Sequence, residues 1–417
     1  MTGGAEMEDK APARLSPRKV PLRLAVISLL LGLASGAVAA AVYVAMIELQ
    51  VLIWHTVPLD RWMILPITVM GGVLIGGTVV MGARLDIEQE IAEARDPKPH
   101  RGLRSLWMAL GAIIAVGFGG VLGPEGGIIA LVSQLSAIVA LVLGREAAER
   151  RAIAQAGLAG GLAGFYHSPI AGPVQAEGEG EAPKLSLYIA GLAGLIAFLF
   201  TADFLREGSL AAMYLPRFDA DPDRYDALVA ILPGLVGAAG GALFIFANRM
   251  LAQTLTDRIP SLFWQPVFGG AILGLICMAA PVLLFAGHNE MHHMLELGAR
   301  HGPGLLIVLG VTKVVLCAVC LGSRWLGGPI FPLCFGGAAL GAATLFFLPG
   351  LNPIIGVAAG MTGAATVGLK MPILAGAVMI FVLGGGLMLP VFVGALAGWI
   401  VLQMLPEDLT RGGGLAH

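Results

Sequence analysis

The chain alternates long apolar runs with short polar interruptions from Leu24 almost to its end. The first run reaches roughly from Leu24 to Leu52. Others follow at about 62–83, 105–122, 128–143, 152–172, 185–202, 227–247, 264–286, 303–321, 329–348, 351–367 and 372–405. The period-two alternation of half-buried strands is missing, so these runs predict helices. A span of the bilayer core takes about 20 apolar residues. The first run exceeds that and predicts a long, tilted span. Many others are too short, or too broken by Gly and Pro, to cross alone. The last run holds two segments, split near Gly384-Gly385-Gly386. The expectation is an all-α polytopic membrane protein with broken and re-entrant helices.

Polar sequence is confined to connections: Arg84 to Arg104, Arg145 to Arg151, Phe204 to Tyr225 and His288 to His301. Residues 1–20 form a polar tail, 21–405 the membrane domain and 406–417 a second tail too short to fold. The N-terminus is not a cleaved signal, because the apolar stretch after it is too long for one. Lys10, Arg14, Arg18, Lys19 and Arg23 precede that stretch. By the positive-inside rule they place the N-terminus in the cytoplasm of a multi-pass cell-membrane protein.

Composition agrees. Of 417 residues, 57% are apolar and 12% charged, against the roughly 25% charged of an ordinary soluble domain. Mean hydropathy is +0.86. The 60 glycines suit close helix crossings in lipid. A net charge of -2 leaves no electrostatic footprint for nucleic acid. Cys277, Cys317, Cys320 and Cys334 all sit in apolar runs. The Cys317-x-x-Cys320 spacing reads as two small apolar helix residues rather than a redox or metal pair. No Walker loop, Rossmann fingerprint or paired nucleophile and base is present, which argues against an intramembrane enzyme; no cofactor or metal is called for.

Two Gly-Pro elements carry the chemistry. Gly123-Pro124-Glu125-Gly126-Gly127 precedes the run from Ile128, and Gly328-Pro329-Ile330-Phe331-Pro332 precedes the run from Leu333. Each places a proline where a helix starts, at the position that has no intrahelical N–H partner to lose. At membrane depth such broken ends persist only inside protein or along a cavity. Paired interruptions in two halves point to a transporter's ion site. Pro124 and Pro329 lie 205 residues apart, and Pro169 and Pro372 lie 203 apart. The segments GLAGGLAGFYHSPIAG (157–172) and GMTGAATVGLKMPILAG (360–376) also resemble one another. Two homologous halves, about 21–203 and 227–405, are expected, inverted and meeting at the site.

A helix N-terminus offers unpaired N–H groups and the positive end of a dipole, and so binds anions without a cationic side chain. The available donors are the amides of Glu125, Gly126, Gly127, Ile330 and Phe331, since Pro124, Pro329 and Pro332 have none. An intramembrane carboxylate is a functional hypothesis by default. The Glu125 carboxylate is expected to occupy the anion position itself and to leave it on protonation; the plainer alternative is a Glu that caps its own helix. A second acidic group, Glu177, Glu179 and Glu181, supplies candidates for a proton relay or is a solvated Gly-broken loop. His288 and His292 stand at i, i+4 in a polar connection without the order of a zinc motif. Lys370 is expected to meet an acid or to snorkel to the interface.

These residues resemble the CLC family of chloride channels and proton-coupled chloride exchangers. Gly123-Pro124-Glu125-Gly126-Gly127 is similar to the family's Gly-Arg-Glu-Gly-Pro signature, with Glu125 at its gating glutamate. Gly328 to Pro332 resembles its Gly-x-Phe-x-Pro, with Phe displaced by one. Phe165 to Gly172 resembles Phe-Asn-Ala-Pro-Leu-Ala-Gly, and Lys370-Met371-Pro372 resembles Arg-Ala-Pro. The likeness runs over roughly 25–405 and is strongest to a divergent bacterial branch. It implies a homodimer in the lipid bilayer with a pore in each subunit, carrying a small inorganic anion, chloride first, either as a glutamate-gated channel or in exchange for protons. It also implies an internal proton acceptor ten residues after Pro169, at Glu179, with Glu177 as the fallback. Departures are plain. Residues 82–92 read GARLDIEQEIA in place of Gly-Ser-Gly-Ile-Pro, and the last tyrosine is Tyr225, so the family's serine and tyrosine partners of the anion have no counterpart there. Fluoride or nitrate, or another ion or neutral solute, remain alternative cargoes.

Overall fold

The computed structural model describes residues 20–55, 60–83, 90–92, 95, 102–178, 183–207, 224–346 and 352–410. Among them no β-strand occurs, and the helices follow the apolar runs. They are α1 (Leu22–Trp54), α2 (Ile64–Val80), α3 (Gly102–Gly117), α4 (Glu125–Leu143), α5 (Ala147–Phe165), α6 (Ala171–Ala176), α7 (Lys184–Leu205) and α8 (Arg224–Val229). Then come α9 (Ile231–Arg258), α10 (Trp264–Ala279), α11 (Met291–His301), α12 (Pro303–Gly322), α13 (Ile330–Leu345), α14 (Pro353–Leu369), α15 (Pro372–Leu383) and α16 (Met388–Met404). Seven described stretches are long and apolar enough to cross a membrane. The helices α3, α10, α13, α14 and α15 are apolar but shorter, as the Gly- and Pro-broken runs predict. The last run does divide, at Gly384, whose φ of 90° ends α15.

Glycine sets the helix spacing. A methyl group built on Gly160 of α5 would lie 2.7 Å from the Gly32 Cα of α1, and one on Gly194 of α7 would lie 2.6 Å from the Gly160 Cα. No side chain fits there, so α1, α5 and α7 cross backbone to backbone. In the second half α9, α13 and α14 converge on Gly360 in the same way, with Gly237 and Gly341 as its neighbours. Small residues at crossings are how helices associate where lipid removes the hydrophobic drive between them.

The halves repeat their turns as well as their motifs. Gly82, Gly119 and His167 have left-handed φ, and so do Gly287, Arg324 and Lys370, at offsets of 205, 205 and 203. Around the Gly-Pro elements the same backbone bonds recur. The Gly120 N–H donates to Ala115 O and the Trp325 N–H to Cys320 O, both at 2.9 Å. Ile128 N–H reaches Pro124 O at 3.4 Å, and Leu333 N–H reaches Pro329 O at 3.0 Å. One large apolar core includes residues of both halves.

Three expectations need correction. Pro124 and Pro329 stand at the N-cap rather than at the first helical position. Residues 291–301, read as part of a polar connection, form α11, which turns His292 and His293 outward and buries Met291 and Met294. The fifth helix begins at Ala147, inside the charged turn, where Arg23 of α1 pairs with Glu149.

Candidate functional site

The two Gly-Pro elements meet. Gly123 and Gly328 form an isolated antiparallel bridge, with Gly123 N–H donating to Gly328 O at 2.7 Å and Gly328 N–H to Gly123 O at 3.0 Å. This pair fixes the N-termini of α4 and α13 against each other, although they lie some 200 residues apart in sequence. Pro124 (φ -74°, ψ -1°) and Pro329 (φ -89°, ψ -7°) share one N-cap conformation. The amides of Glu125, Gly126, Gly127, Ile330 and Phe331 make no bond to backbone carbonyls, as the first turn of a helix requires. Pro332 removes the third donor of α13, so the first half presents three such amides and the second half two.

Glu125 lies inside this junction and is only 1% exposed. Its carboxylate packs on Gly123 and Gly328: a side chain built at either glycine would collide with it. That close approach is why glycine occupies both positions. Neither carboxylate oxygen makes a hydrogen bond of ordinary geometry. No basic side chain pairs with Glu125 among the described residues. A buried carboxylate thus rests beside two helix N-termini, in the field of their positive ends, with no basic side chain in ion-pair contact among the described residues.

Aromatic side chains close the walls. Phe331 meets Phe165 edge to face at 5.8 Å between centroids and His288 at 5.6 Å. Phe165 also touches Tyr166 at 5.2 Å. Tyr166 is buried at the end of α5, within electrostatic reach of Glu125 and beside Gln175 of α6. Its hydroxyl makes no hydrogen bond of ordinary geometry. Sequence reasoning sought a tyrosine in the last segments and passed over this one. The thiols of Cys317 on α12 and Cys334 on α13 also lie within electrostatic reach of Glu125. All four cysteines are free and buried, and no group of metal-ligating side chains occurs among the described residues.

The other candidates lie elsewhere. Glu177 follows α6, is 41% exposed at its side chain and pairs with Lys184 at 2.8 Å. Glu179 and Glu181 lie outside the described residues, as does most of the 82–92 stretch. Lys370 caps α14 in a left-handed turn (φ 58°) and is partly exposed.

Comparison with known proteins gives this arrangement its family. Residues 81–403 match the family described as "Voltage gated chloride channel". The chain is similar to the "Chloride channel protein CLC-f" of Arabidopsis thaliana, 28% identical over 69% of this chain and 38% of that protein. It resembles the "Voltage-gated ClC-type chloride channel ClcB" of Salmonella typhimurium, 27% identical over 63% of each. It resembles the "H(+)/Cl(-) exchange transporter ClcA" of Vibrio cholerae, 26% identical over 71% of this chain and 65% of that one. The chain thus spans under two thirds of the length of each of these relatives. In fold it is similar to a slow cyanobacterial Cl-/H+ antiporter, with a TM-score of 0.78, 19% identity and coverage of 94% of this chain and 98% of that one. A CLC-type fluoride/proton antiporter gives a TM-score of 0.73, 19% identity and coverage of 93% and 98%. With its paired helix starts and its match over three quarters of its length, the chain belongs to the voltage gated chloride channel (CLC) family of multi-pass membrane proteins.

Proposed function

We propose that the protein moves a small inorganic anion, chloride in the first place, through the junction of α4 and α13, with Glu125 as its gate. The observation that carries this reading is the Gly123–Gly328 pair, which brings two helix starts together beside a buried carboxylate that has no basic partner among the described residues. Amides and dipoles bind a dehydrated anion and, unlike a full positive charge in direct contact with it, still let it leave. The charged carboxylate competes for those donors; protonation neutralises it and frees the path, so flux rises as pH falls. Tyr166 adds a hydroxyl donor from the first half. Relatives described as chloride channels and as H(+)/Cl(-) exchangers are consistent with either transport mode.

The exchange mode adds Glu179, with Glu177 behind it, as the proton acceptor on the cytoplasmic side. The basic residues between 10 and 23 support a cytoplasmic N-terminus in either mode. Homodimerisation follows the family resemblance. The deciding experiment reconstitutes the chain in liposomes and follows chloride efflux together with proton movement. Chloride flux with coupled proton uptake makes it an exchanger, chloride flux alone a channel, and fluoride or nitrate flux without chloride flux reassigns the cargo. No anion flux of any kind sinks the proposal.

A further inference from the structure

Lys313 is a lysine with no exposure at all, in the middle of the apolar helix α12. Its ammonium donates to three backbone carbonyls, Leu283 at 3.0 Å, Leu284 at 2.9 Å and Phe285 at 2.9 Å. A lysine has three N–H donors, so all are used. The ammonium also lies 4.7 Å from the Phe335 ring centroid. The acid that acts on it is Glu290, partly buried, from beyond ion-pair distance. Ionisable residues inside membrane segments mark ion pathways more often than they serve as plain struts.

Its surroundings lead to the candidate anion site by two routes. Along α12, Lys313, Cys317 and Cys320 recur at i, i+4 and i+7 and so share one face. Cys317 lies within electrostatic reach of both Lys313 and Glu125. Along α13, the Phe335 beneath the ammonium is one turn from Phe331, whose amide opens the site. The segment that cages the ammonium docks on the first half through Phe285 N–H to Gly119 O at 3.3 Å. The Phe285 ring packs on Trp54 at 5.3 Å. It then runs to His288, whose ring rests on Phe331. The caged ammonium therefore sits behind the second-half wall of the Gly123–Gly328 junction.

We propose that Lys313 is a fixed positive charge that holds the transported anion at this junction, and that Glu290 is the countercharge that tunes it. The inference rests on the anion-transport reading above and adds a residue to it. Because the ammonium is buried, bulk salt screens it little. Its carbonyl cage keeps it from reaching the anion and trapping it.

The test is chloride flux in liposomes as a function of chloride concentration, for the unmutated chain, Lys313→Gln, Lys313→Arg and Glu290→Gln. Loss of the charge is expected to raise the half-saturating chloride concentration about tenfold. Lys313→Arg, which keeps the charge, restores it. Glu290→Gln leaves the carbonyl cage intact and is expected to lower half-saturation by about threefold, an effect that a purely structural clip does not produce. If Lys313→Gln does not fold, Glu290→Gln decides. Half-saturation unchanged or raised in Glu290→Gln, or unchanged in folded Lys313→Gln, overturns the proposal while the transport reading stands. An unmutated chain that moves no anion overturns both.

Discussion

Gly328→Ala tests how Glu125 is held. Gly328 does not use a left-handed φ, so alanine strains the element only through what its methyl meets. That methyl would lie 2.5 Å from Glu125 Cδ and 2.9 Å from Glu125 Cβ, whereas carbon atoms settle at about 3.5–4.0 Å. Something must retreat by about 1 Å at the carboxyl end and by somewhat less at Cβ. Pulling the backbones apart would break the two Gly123–Gly328 hydrogen bonds, about 0.5–1.5 kcal/mol each, and would disturb both helix starts. Swinging the carboxylate away costs one side-chain rearrangement, about 0.5–1.5 kcal/mol, and gives up only its contacts with the Glu125 and Gly328 amides, which fall short of ordinary hydrogen-bond geometry. The side chain is therefore the part that moves. A clash of about 1–3 kcal/mol shifts the balance between seated and released carboxylate by about 5- to 150-fold. Anion flux at neutral pH should rise toward its acid value in reconstituted liposomes, in a variant that still elutes as folded protein. Wild-type pH dependence in a fully active Gly328→Ala, or a folded but silent one, would refute the reasoning.

Two further outcomes are expected. Gly194→Ala should lower the thermal unfolding temperature in detergent, because overpacking against Gly160, about 1–3 kcal/mol, outweighs the roughly 1 kcal/mol gain in helix propensity; Gly77→Ala on α2, with nothing within 4 Å, should show no such loss, and equal effects would contradict the packing account. Proton movement driven by a chloride gradient should vanish in the double variant Glu177→Gln with Glu179→Gln, and coupled protons that survive it would place the relay elsewhere.

The legible parts of this protein were those where a residue obeys a local rule. Pro124, Pro329 and Gly384 mark their breaks because proline and glycine impose backbone geometry wherever they stand. The offsets of 205 and 203 carried from the motifs to the turns, since Gly119 and Arg324, or His167 and Lys370, do the same job in each half. Glu125 stood out as an acid beside a helix start. Lys313 was equally visible as a charge within 303–321, but its partners are the carbonyls of Leu283, Leu284 and Phe285, which leave no trace in side-chain identity. Tyr166 gave no local signal of its own, and only the folded chain brings it within electrostatic reach of Glu125. The amphipathic α11 was obscured by its polar face of His292, His293 and Glu296. The glycines announced close packing, but which pairs meet, as Gly160 meets Gly32 and Gly194, is a tertiary fact.

The central claim is that Glu125 gates an anion path at the Gly123–Gly328 junction. Its most direct test is the pH dependence of chloride efflux from liposomes for the unmutated chain and for Glu125→Gln. The account predicts flux that rises on acidification in the unmutated chain, and flux in Glu125→Gln that is high and flat with pH, because the amide mimics the protonated acid. A Glu125→Gln variant that keeps the unmutated pH dependence would contradict it.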